Sequence, residues 1–103
     1  MRTIKEVLRL FSDTKAEDWH QHPNGGGWVC KGASVTKTAY IGPRALVFGR
    51  AEVFASARVS GDACVYGNAR VYGNVEVSGD AQIYGSATVR DGKVLKGDSD
   101  ENS

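Results

Sequence analysis

The chain has 103 residues and a formal net charge of +1, which fits one domain and gives no electrostatic case for nucleic acid or an anionic membrane. No apolar run approaches the roughly 20 residues of a membrane span. The opening stretch, Met1 to Phe11, is broken by Lys5, Glu6 and Arg9 and so lacks the apolar centre of a secretory signal. Two cysteines without such a signal point to a reducing compartment, so a cytoplasmic location is expected.

In chain order, the first element is a short helix. Ile4, Val7, Leu8 and Phe11 fall on one helical face, and Thr3 with Glu6 has the spacing of a capping box. Such a helix serves either as a lid on the rest of its own subunit or as an arm onto a neighbouring one. Residues 12 to 27 form a connector containing Trp19-His20-Gln21-His22-Pro23-Asn24 and then Gly25-Gly26-Gly27. The glycines let the backbone turn; no Lys-Ser or Lys-Thr comes after them, as a phosphate-binding loop would need. This N-terminal region, helix and connector, is assigned to residues 1–26.

From Ala57 the chain reads ARVSGD, ACVYGN, ARVYGN, VEVSGD, AQIYGS, ATVRDG, a period of six. The register runs back through AEVFAS, ALVFGR, AYIGPR and ASVTKT to GWVCKG at residue 27, and forward loosely through KVLKGD to residue 98. An aliphatic slot holds Val29, Val35, Ile41, Val47, Val53, Val59, Val65, Val71, Val77, Ile83, Val89 and Leu95. Two residues before it sits a small residue, usually alanine. Residues two apart on a strand face the same way, so both slots should point inward. One outward residue comes next, then Gly-Asn, Gly-Asp or Gly-Ser, pairs that accept the positive φ of a sharp turn. A corner every six residues closes a triangle after three hexads, so residues 27–98 should wind about four coils of parallel strands. The tail, residues 99–103, is acidic and polar and is expected to be disordered.

This hexad pattern resembles the hexapeptide-repeat superfamily. The resemblance implies an all-β fold, a left-handed parallel β-helix of about four coils, here with a short N-terminal α-helix. The left hand comes from the resemblance, since parallel crossovers are otherwise right-handed.

Residues one coil apart should stack, which sorts the outward residues by face. Face one carries Trp28 and Cys30, Leu46 and Phe48, Cys64 and Tyr66, Gln82 and Tyr84. Face two carries Ser34 and Thr36, Glu52 and Phe54, Arg70 and Tyr72, Thr88 and Arg90. Face three carries Tyr40 and Gly42, Arg58 and Ser60, Glu76 and Ser78, Val94 and Lys96. Glu52 with Arg70, and Arg58 with Glu76, should form surface charge ladders. The apolar strip of face one marks an interface. Its candidate residues are Trp28, Leu46, Phe48, Tyr66 and Tyr84, helped by Phe54 and Tyr72 on face two. Superfamily members commonly trimerise through packed β-helices, so a homo-oligomer, favoured as a trimer, is expected. The alternative is that the N-terminal helix folds over this strip within one subunit; a helix of about two turns is too short to cover four coils. Cys30 and Cys64 lie about two coils apart, too far for a disulfide, so both thiols should be free.

The superfamily's enzymes are mostly acyltransferases with a catalytic histidine on or near the β-helix. Residues 27–98 contain no histidine, and no loop interrupts the hexads to shape a cleft. No catalytic residue, cofactor or metal site is therefore assigned. His20 and His22 would share a side in an extended segment and could hold a metal with Glu17 or Asp18, but the plainer reading is a polar connector whose Trp19 packs on the helix. The His-Pro-Asn-Gly-Gly-Gly-Trp-Val lead-in looks like that of small repeat proteins of phages and prophages. That likeness implies a non-enzymatic protein that binds and blocks a host component, such as one of a defence system. Competing readings are a minimal trimeric acyltransferase using His20 or His22 as base, a structural scaffold, and a protein that sequesters a small nucleotide with Arg44, Arg50 and Arg70.

Overall fold

The computed structural model describes residues 4–12 and 14–90, together with the strand backbone of 93–94 and 98–100. Helix α1 spans Ile4–Leu10, and a single 3-10 turn covers Ala16–Asp18. Strand β1 is Trp19–Gln21 and β2 is Trp28–Cys30. Ten further strands, most of two residues, come at hexad spacing. They are β3 (Ser34–Val35), β4 (Tyr40–Ile41), β5 (Leu46–Val47), β6 (Glu52–Val53), β7 (Arg58–Val59), β8 (Cys64–Val65), β9 (Arg70–Val71), β10 (Glu76–Val77), β11 (Gln82–Tyr84) and β12 (Thr88–Val89). Strands β13 (Lys93–Val94) and β14 (Asp98–Asp100) end the series.

Every third strand pairs in parallel. Face one is the sheet β1-β2-β5-β8-β11-β14, face two is β3-β6-β9-β12, and face three is β4-β7-β10-β13. The result is a parallel β-solenoid with one short helix at its N-terminal end. The inward slots build its core: Ala39, Ile41, Ala45, Val47, Ala51, Val53, Ala57, Val59, Ala63 and Val65 are all fully buried, and the pattern continues to Ala87. Each buried valine is worth about 1.5–3 kcal/mol of transfer free energy, so stability comes from repetition of one small contact.

The corners explain the glycines. Gly67 has φ +70°, and a Cβ there would lie 2.9 Å from the Gly85 nitrogen of the next coil. Ala55 occupies the same hexad slot with φ 62°, the one non-glycine residue with positive φ among those described. Placing an L side chain in this left-handed region costs about 1–2 kcal/mol.

One expectation is corrected at the C-terminal end. Strand β13 sets the backbone of Val94 against Val77, one residue earlier than the hexad count, which aligned Leu95 with Val77. Leu95 itself lies outside the described residues. Strand β14 pairs Gln82 with Asp98 and Tyr84 with Asp100 and is the last described strand of face one. Residues 101–103 lie outside the described residues, as does Thr3 of the capping box.

Candidate functional site

The outward face of a solenoid rung holds little chemistry by itself, so candidate sites lie where rungs align unlike groups. On face one, Phe48 and Tyr66 stack with ring centroids 4.8 Å apart and planes 2° apart, and Tyr66 stacks on Tyr84 at 5.6 Å. The Tyr66 hydroxyl donates to Gln82 Oε1 at 3.1 Å. On face two, Phe54 and Tyr72 stack at 4.8 Å with planes 6° apart. These spacings are the strand spacing, since each ring sits one coil below the last. Between stacked rings the facing sides are spent on each other, and the surface offered outward along the ladder is ring edge and hydroxyl.

The N-terminal region covers the top of face one. Val7, Trp19 and Leu46 form a small second core, with Ile4, Leu8, Phe11, Trp28, Cys30, Phe48 and Cys64 packed around it. Phe11 lies 4.5 Å from the Phe48 ring and 5.2 Å from Trp19. The Trp19 indole N–H donates to Thr14 Oγ1 at 2.9 Å, which satisfies its polar edge inside the cluster. Trp19 therefore packs on the helix, in agreement with the plainer reading of the connector. Leu46, one of the candidate interface residues, is buried at 2 % exposure beneath the chain's own helix. The apolar stripe of α1 is the physical reason: it needs an apolar floor, and Leu46 with Trp28 supplies it. Phe48, Tyr66, Tyr84, Phe54 and Tyr72 stay half-buried.

The histidines separate. The extended pattern that would put them on one side ends at Gln21, because a turn closes from His22 O to Gly26 N–H at 2.9 Å. His20 points to solvent, while His22 is 3 % exposed. The His22 Nε2 lies 2.8 Å from the Ala39 carbonyl, which can only accept, so Nε2 carries the proton and donates. Asn24 O accepts from Ile41 N–H at 3.0 Å, and Gly27 N–H donates to Ile41 O at 2.9 Å. A Cβ on Gly25 would overlap the Ile41 carbonyl oxygen, at 2.1 Å. The His-Pro-Asn-Gly-Gly-Gly segment is thus a plug on the first rung of face three. Nothing in the hexad periodicity signals it; the run of three glycines is the one hint, and close backbone approach is what they serve.

Charges form ladders on the strand faces and at one corner. Arg70 Nε lies 3.6 Å from Glu52 Oε1, as expected from the spacing. Arg44 Nε donates to Asp62 Oδ1 at 2.6 Å, and this carboxylate holds the guanidinium pKa above its ordinary value. The Arg58 guanidinium sits over the Tyr40 ring at 5.4 Å, and the strand register sets Arg58 beside Glu76 as well. Arg44 and Arg70, two of the three arginines considered for phosphate, are committed to neighbours. In the connector, Asp18 accepts the Lys15 backbone N–H at 2.9 Å and pairs with Lys31 at 3.1 Å, and these lower its pKa. Cys30 and Cys64 are both free thiols. Among the described residues no group of three or more His, Cys, Asp or Glu comes together to hold a metal, and no helix is long and apolar enough to cross a membrane.

This geometry defines a β-solenoid repeat protein. The family model described as the YdcK beta solenoid repeat matches residues 57–73 and again residues 63–79, two windows that begin one hexad apart. No curated protein and no solved structure matches the chain.

Proposed function

We propose that the chain is a non-enzymatic protein-binding solenoid that assembles with copies of itself through the lower half of face one. The observation that carries this reading is the half-exposed Tyr66–Tyr84 pair, which continues a ring ladder beyond the reach of α1. A strip of ring edges and hydroxyls suits the amphipathic character of protein interfaces, where tyrosine is enriched. A trimer is the favoured form, by the resemblance to hexapeptide-repeat proteins. A more specific version, in which a phage-encoded protein blocks a host defence component, rests on the lead-in segment alone. The acyltransferase alternative is weakened at His22, whose Nε2 proton is committed to the Ala39 carbonyl inside the plug.

Light scattering tests the assembly. Wild type should have the mass of a trimer, and both Tyr66→Arg and Tyr84→Arg should have the mass of a monomer while keeping the wild-type circular dichroism. A monomeric wild type would overturn the reading.

A further inference from the structure

The N-terminal end of the solenoid has three strand edges, and two are covered. Strand β1 pairs antiparallel with β2 on face one, and the segment from Asn24 to Gly27 bonds to Ile41 on face three. On face two, β3 is the end strand of its sheet among the described residues. Ser34 N–H donates to Ala51 O and Thr36 N–H to Val53 O, both toward the next coil. Amides alternate in direction along a parallel strand, so the Val35 N–H faces outward along the open edge. Val35 is also partly exposed, whereas Val29, Ile41, Val47 and Val53 in the same slot are buried.

A second opening lies directly below. Thr36 stacks one coil above Phe54, and its side chain is too short to cover the ring. The result is a depression of about 390 Å³ lined by Ser34, Val35, Thr36, Glu52, Val53 and Phe54, large enough for one aromatic side chain. The chain itself shows how such a ladder is finished. On face one the residue above Phe48 is the small Cys30, and Phe11 arrives from another segment to cover the Phe48 ring. On face two no described residue does this for Phe54.

We propose that the β3 edge and the Phe54 slot form one binding site for an extended peptide segment of a partner protein, bearing an aliphatic residue and, after it, an aromatic one. Its backbone would bond to β3 as an added strand. The aliphatic side chain would cover Val35, and the aromatic ring would turn down over Thr36 onto Phe54. The occupant is a lone strand and not another solenoid end, because β1 and the Asn24–Gly27 plug stand in the way of a full coil. The Glu52 carboxylate at the rim favours a ring that carries an N–H or O–H. This site rests on the protein-binding reading and deepens it, but does not depend on assembly through face one.

The test uses the full chain carrying Tyr66→Arg, so that self-association does not intrude, and a capped peptide of the chain's own hexad, residues 45–50 (ALVFGR), as probe. Titration monitored by NMR should shift the resonances of residues 33–36 and Phe54. The control peptide ALVAGR should bind about tenfold more weakly, the scale of one lost aromatic stack with its burial. Thr36→Phe, which fills the slot, and Phe54→Leu, which keeps it apolar but removes the ring face, should each weaken the ALVFGR peptide by a similar factor. Equal binding of both peptides would overturn the proposal, as would shifts centred elsewhere. Free indole competing as well as the peptide would overturn it too, since the ring alone would then suffice without a strand.

Discussion

On face one the Phe48 ring lies under Phe11, and Trp19, Val7 and Leu46 close a small core around it. On face two the equivalent surface of Phe54 lies under Thr36 and faces a depression. Both faces come from the same hexad, with the same ring stacking one coil apart. The difference comes from residues outside the repeat. A repeat specifies a stack but cannot specify its own end, because the end rung has a neighbour on one side only. The helix and connector supply that neighbour on two faces and leave the third open.

Mutations should separate the roofed ladder from the open one. Trp19→Ala removes a ring that is 5 % exposed from the cluster that holds α1, and should cost about 3–5 kcal/mol in chemical denaturation. Tyr72→Ala on face two should cost about 1 kcal/mol, the scale of a half-exposed stacked pair. Equal losses would break the comparison. On face three, His22→Ala leaves the buried Ala39 carbonyl without its donor and should cost about 1–3 kcal/mol by the same measurement. Ala55→Gly, at the corner after Phe54, relieves a left-handed alanine and should stabilise by about 1 kcal/mol, raising the melting temperature.

The smallest expected effect is a pH dependence in the roof. The Asp18 pKa is lowered in the folded chain, first by the Lys15 backbone N–H and then by Lys31. A depressed carboxylate pKa contributes stability that is present above the unfolded value of about 3.9 and is lost as pH falls through the folded value. Asp18→Asn should therefore flatten the stability profile below about pH 4 and leave the alkaline side unchanged.

The repeat was legible because each hexad meets the same surroundings. Val53 and Val71 need no knowledge of the rest of the chain to be placed inside, and Glu52 lies one coil from Arg70 by arithmetic alone. The cap was less legible because its contacts are made once. The Nε2–H of His22 meets the carbonyl of Ala39, 17 residues on, with no periodicity to predict it. Strand β1 runs antiparallel to β2, against the direction of every other described pairing. The apolar stripe of α1 was readable, but whether it met its own face or a neighbour's was decided by Leu46 and Trp28, which offered it a floor. At the far end, Val77 pairs with Val94 rather than with Leu95, a register the loose KVLKGD hexad concealed.

Among the described residues one edge of the N-terminal end is open while its neighbours are closed, and amide hydrogen exchange tests this residue by residue. Ile41 and Val35 occupy the same hexad slot, one with its N–H donated to Asn24 O at 3.0 Å and the other with its N–H on the outer edge of β3. Exchange should be slow at Ile41 and near the free-chain rate at Val35. Equal protection at the two amides would mean that the second face is closed as well, and would contradict the open edge.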